Sequence, residues 1–131
     1  MRRRMLLALL VLVCAGAATC GLPGRKIARV GEQDAGRTIE LRLGDRLEVT
    51  LPGNPTTGYS WVVSATDSAV LSQVGEPTFK ADSTLVGSGG AVTLAFQTEG
   101  KGKTQLRLAY QRPWEKDVPP TKTYEVTIAV N

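Results

Sequence analysis

From Thr38 onward the apolar residues recur at every second position. Ile39, Leu41 and Leu43 fall on one face of an extended segment, and Leu47, Val49 and Leu51 on one face of the next. Tyr59, Trp61 and Val63 begin a third. After a less regular span, in which Val70 to Val74 and Thr78 to Lys80 read as short strands, the alternation returns at Val92, Leu94 and Phe96, at Leu106, Leu108 and Tyr110, and at Tyr124, Val126, Ile128 and Val130. A period of two marks strands with one buried and one solvated face. No stretch beyond residue 19 carries a helical stripe.

About seven short strands separated by turn signals in some hundred residues imply an all-β fold, an immunoglobulin-like Greek-key β-sandwich. Gly44-Asp45 offers the first turn. The run Glu99-Gly100-Lys101-Gly102-Lys103 is expected to close a hairpin between Val92–Thr98 and Thr104–Gln111. Connections alternate between the two ends of a sandwich, so residues 87–90 and 112–120 belong together at the end opposite that turn. Trp61 is in step with Tyr59 and Val63 and is expected in the core; Trp114 lies past the end of its strand and is expected to be exposed.

The beginning of the chain follows another pattern. Arg2, Arg3 and Arg4 precede an apolar run from Met5 to Val13 and a small-residue stretch from Cys14 to Thr19, the layout of an export signal. Residues 1–19 are therefore read as a signal peptide, cleaved before Cys20 or near Ala17. Ala17-Ala18-Thr19-Cys20 resembles a lipobox, which would make Cys20 the lipidation site of an envelope lipoprotein; Ala15-Gly16-Ala17 would instead release a secreted protein. Residues 20–37, Gly-rich and charged without sustained periodicity, read as a tether, and 38–131 as the folded domain.

Removing the signal changes what the charge implies. It carries three of the sixteen Lys and Arg, leaving thirteen against twelve Asp and Glu. The remainder is almost neutral and gives no support to nucleic-acid binding. Composition excludes more. The chain has no histidine, and Cys20 is the only cysteine beyond residue 19, so Ser-His and Cys-His catalysis, zinc-cysteine sites and an internal disulfide are all ruled out. The acidic residues are scattered and mostly alternate with apolar positions, as on a solvated sheet face, and form no carboxylate pair. The domain is not expected to be an enzyme or to need a cofactor or metal.

What the composition leaves is three unusual interruptions of the strand pattern. Asn54-Pro55-Thr56-Thr57-Gly58-Tyr59 spends a proline, a glycine and two threonines on six positions. Pro55 fixes its own φ and pushes Asn54 toward an extended conformation, while Gly58 permits a positive φ, so this loop should be stiff. Gly87-Ser88-Gly89-Gly90, preceded by Leu85 and Val86, is the second interruption. Arg112-Pro113-Trp114 is the third, and its arginine and tryptophan are residue types enriched at binding hot spots.

These three motifs, in this order, resemble those of the chagasin-type family of cysteine protease inhibitors, and the resemblance spans roughly Thr38 to Val130. It implies a reversible, non-covalent inhibitor of papain-like cysteine proteases, acting as a monomer. Asn54, Pro55, Thr56, Thr57, Gly58 and Tyr59 would enter the catalytic centre. Leu85, Val86, Gly87, Ser88, Gly89 and Gly90 would flank it on one side, and Arg112, Pro113 and Trp114 on the other. A cell-envelope module using the same edge to hold another ligand is the alternative reading.

Overall fold

The computed structural model describes residues 26–131; residues 1–19, read as an export signal, and Cys20, read as a lipidation site, lie outside the described residues. Among the described residues, nine strands form two facing sheets. They are β1 (Ile27–Val30), β2 (Thr38–Leu41), β3 (Arg46–Gly53), β4 (Ser60–Ala65), β5 (Leu71–Gln73), β6 (Thr78–Ala81), β7 (Gly90–Thr98), β8 (Gly102–Gln111) and β9 (Lys122–Val130). One sheet has the order β1-β3-β7, with β5 and β6 following one another along the far edge of β7; the other runs β2-β9-β8-β4. This division of consecutive strands between two layers is that of an immunoglobulin-like sandwich.

The alternation read from the sequence fills the space between the layers. Leu47, Val49, Leu51, Leu94 and Phe96 from one sheet meet Trp61, Leu106, Leu108, Val126 and Ile128 from the other, all buried. Trp61 is 4% exposed, and its indole N–H donates to the Pro52 carbonyl at 3.0 Å, so its one polar atom is satisfied inside the core.

Two expectations are corrected. Residues 20–37 are not a tether throughout, because Ile27–Val30 is a strand paired in parallel with β3 and its Val30 is buried. Four residues are too few for a clear period, and a parallel partner leaves no hairpin turn in the sequence. A short 3₁₀ turn at Glu32–Asp34 then leads to β2, which pairs in parallel with β9. β1 brings the strand count to nine.

The second correction concerns Glu99–Lys103, which closes no hairpin. β7 and β8 lie in different sheets, and the connection crosses between them. The Glu99 N–H donates to Val70 O at 2.8 Å, and the Thr98 hydroxyl donates to Asp45 O at 3.0 Å, so the end of β7 is already committed to neighbours other than β8. The true hairpins are β6–β7 and β8–β9.

Candidate functional site

Three connections emerge at one end of the sandwich: the β3–β4 crossover at residues 54–59, the β6–β7 hairpin loop at 82–89 and the β8–β9 hairpin loop at 112–121. The first is built around Asn54. Its φ of −142° is extended, as the following proline requires, and Pro55–Thr57 forms a single 3₁₀ turn that ends on Gly58 at φ +82°. The Asn54 carboxamide oxygen accepts from the Thr56 N–H at 3.1 Å and from the Thr56 hydroxyl at 2.5 Å, while the Thr57 hydroxyl donates to Asn54 O at 2.6 Å. Both hydroxyl protons are therefore spent inside the loop. They stiffen it, and what Thr56 and Thr57 present outward is oxygen lone pairs and backbone.

The three loops brace one another. Asn54 Nδ2 donates to Gly87 O at 3.1 Å, joining the first loop to the second. Arg112 Nε donates to Thr57 O at 3.1 Å, joining the third to the first. Trp114 adds an apolar contact to that junction, because its ring lies so close over Gly58 that a Cβ there would overlap it.

Beneath Arg112 runs a stack that ties the edge to the core. The guanidinium sits 4.4 Å from the Tyr59 ring centroid, Tyr59 stacks on Tyr110 at 5.2 Å, and Tyr110 meets Trp61 at 5.0 Å. The Tyr110 hydroxyl accepts from the Asn54 N–H at 2.9 Å. Arg112 also donates to the Glu115 carboxylate at 3.0 Å, and this bond pushes the guanidinium's pKa further up from an already high value. The cation is permanent and held in place.

The second loop is a closed hairpin with an apolar tip. Asp82 N bonds Gly89 O at 3.0 Å, Ser88 N bonds Leu85 O at 3.2 Å, and the Ser88 hydroxyl donates to Ser83 O at 3.1 Å. Leu85 is 76% exposed and Val86 fully so. The glycines serve different ends. Gly87 has a φ of +80° in open space, Gly89 has room for a Cβ, and Gly90 packs so tightly on the Lys80 carbonyl that no side chain fits. The one close backbone approach of this motif therefore lies inside the domain, between β6 and β7. In the third loop Pro113 and Trp114 are exposed, Trp114 at 66%.

Every residue singled out in the three motifs falls at this end. Sequence reading missed Tyr110 and Glu115, which hold Asn54 and Arg112. Tyr110 is indistinguishable from a core residue by period; Glu115 lies three residues after Arg112 in the same loop, a spacing that could have suggested the pair.

A family model described as the chagasin family peptidase inhibitor I42 matches residues 40–128. Chagasin from Trypanosoma cruzi is 27% identical over 107 residues, covering 79% of this chain and 97% of chagasin. Amoebiasin-2 from Entamoeba histolytica is 34% identical over 103 residues, 74% of this chain and 81% of amoebiasin-2. Among solved structures, a crystal structure of a cysteine protease inhibitor from Entamoeba histolytica aligns with a TM-score of 0.72 at 26% identity, covering 83% of this chain and 99% of that one.

Proposed function

Since the chain belongs to the chagasin family of peptidase inhibitors and is a cysteine protease inhibitor rather than an enzyme, we propose that it blocks the active-site cleft of papain-like proteases reversibly with the edge made of its three loops. The observation that carries this reading is the cross-bracing of that edge through Asn54 and Gly87, and through Arg112 and Thr57. A partner that engages loops already fixed to one another loses less conformational entropy than one that must order them.

The centre of the edge explains inhibition without cleavage. A protease cleaves backbone held extended across its nucleophile, whereas Pro55–Thr57 is a 3₁₀ turn followed by a left-handed glycine. Thr56 and Thr57 then fill the space before the catalytic Cys and His without presenting a peptide bond in attackable geometry. Leu85 and Val86 on one flank and Trp114 on the other supply apolar contact, and Arg112 positions Trp114 and the central loop together. The domain acts as a monomer in this reading, exported by residues 1–19 and either anchored through Cys20 or released; intact mass of the membrane fraction distinguishes the two.

Titration of papain and of a cathepsin-like protease with the soluble domain tests the proposal. Saturable inhibition, reversed on dilution and leaving the inhibitor uncut, is the expected result. Slow cleavage of the inhibitor at Thr56 or Thr57, or no inhibition across several such proteases, would overturn it.

A further inference from the structure

Nothing inside the domain requires residue 89 to be a glycine. Its backbone is not left-handed, and a Cβ there would come no nearer than 3.6 Å to Gly53 O and 4.0 Å to Asn54 Cβ, ordinary van der Waals contacts. Gly53, Asn54 and Gly89 line a cavity of about 280 Å³ beside the junction of the first and second loops. A side chain on residue 89 would stand in that cavity, so the glycine keeps it open.

Tyr110, Asp82 and Lys122 also line it. Tyr110 is 8% exposed, and its phenol oxygen accepts from the Asn54 N–H at 2.9 Å, but its own proton reaches no acceptor among the described residues. A phenol both accepts and donates, and a buried donor left without a partner costs stability. Asp82 follows β6 in one sheet and Lys122 begins β9 in the other, and neither holds an ion pair among the described residues. The backbone around the cavity is already committed: Gly53 pairs with Gly90, Tyr110 pairs with Lys122, and Asp82 N donates to Gly89 O. Three side chains therefore remain to bond an occupant: a phenol donor, an ammonium donor and a carboxylate acceptor.

We propose that this cavity receives the side-chain carboxamide of an Asn or Gln on the rim of the bound protease's cleft. The inference rests on the loop edge being the protease-binding surface, and it adds a pocket that discriminates among proteases. An anionic occupant would meet Asp82 and a cationic one Lys122, so the walls select a neutral group. A carboxamide satisfies all three: its carbonyl, with two lone pairs, accepts from Tyr110 and Lys122, and its NH₂ donates to Asp82. An added strand does not suit the site, because the backbone groups beside it are paired within the domain.

The test titrates papain with residues 20–131 carrying Cys20→Ser, which retain every buried core residue from Val30 to Val130. Gly89→Ala should leave Tm within a few degrees and weaken inhibition about tenfold or more, since it shuts the carboxamide out and leaves its partners unpaired. Asp82→Ala removes only the acceptor and should weaken inhibition about threefold or more, again with Tm unchanged. Papain variants with single Asn→Ala or Gln→Ala changes on the cleft rim, each checked for intact peptide hydrolysis, then identify the occupant. One of them should lose affinity for the parent inhibitor and lose little more against Gly89→Ala. Should Gly89→Ala lower Tm, Asp82→Ala makes the comparison in its place. Undiminished inhibition by both variants, with the parent active, would overturn the pocket and leave the protease reading standing. Weakened inhibition with no rim variant that couples to residue 89 or 82 would overturn the carboxamide as occupant. A parent that inhibits no papain-like protease would overturn both readings.

Discussion

Replacing Gly58 by alanine adds one carbon where backbone and packing both object. Gly58 sits at φ +82°, a left-handed conformation that costs an L-residue about 1–2 kcal/mol. The added Cβ also overlaps the Trp114 ring, which is the far end of an exposed side chain and can swing aside at little cost in stability. The two objections should therefore be read out by different assays. Thermal unfolding reports the backbone term, a fall in Tm of about 5–15 °C for a domain of this size. Protease titration reports the displaced Trp114, whose loss from a hot-spot position should weaken inhibition by about tenfold or more.

A double-mutant cycle with Trp114→Ala separates them further. With the ring gone the Cβ has space, so Gly58→Ala should still lower Tm by nearly the same amount but should weaken inhibition much less than it does in the parent protein. Residues in such contact couple by about 0.5–3 kcal/mol. Additive effects on inhibition, or an unchanged Tm for Gly58→Ala, would refute the placement of Trp114 over Gly58 or the left-handed turn respectively.

Three further outcomes are expected. Asn54→Ala removes the acceptor for Thr56 and the donor to Gly87, so it should cost about 1–2 kcal/mol in denaturant unfolding and weaken inhibition by uncoupling two loops. Trp61→Ala should cost about 3–5 kcal/mol and leave the domain largely unfolded by fluorescence and circular dichroism, whereas Trp114→Ala should leave Tm within a few degrees while inhibition falls. Burial, with Asp34 adding its charge, pushes the Tyr124 phenol up to about 12 from its ordinary value near 10. A raised pKa means its contribution to stability is complete below about pH 10 and is lost between about pH 10 and 12, at up to about 1.4 kcal/mol per pH unit. Tyr124→Phe should flatten that alkaline loss while lowering stability at neutral pH by about 1 kcal/mol through its bond to Gly31 O.

By itself the sequence determined whatever follows from local chemistry. A period of two placed the interior of β3, β4, β7, β8 and β9, because each strand buries alternate residues whatever its partner is; in β2 it held for Ile39 and Leu41 but not for Leu43, which falls in the turn beyond the strand and is half exposed. Proline before a turn and glycine after it settled the backbone of residues 54–58, because those two side chains restrict or free φ without help from the rest of the fold. Absence of histidine and of paired cysteines beyond residue 19 excluded whole classes of chemistry on composition alone.

Tertiary structure decided what depends on partners distant in the chain. A glycine-rich turn after a strand serves a hairpin and an inter-sheet crossing equally well, and only the commitment of Thr98 and Glu99 to Asp45 and Val70 makes residues 99–103 a crossing. β1 exists because β3 lies beside it, since four residues of weak pattern do not order themselves alone. Tyr110, read as a core residue, also holds the Asn54 backbone, and the Thr57 carbonyl receives Arg112 from 55 residues away. The motifs of the edge were legible as separate loops, but their bracing into one rigid surface required folding to bring them within hydrogen-bond distance.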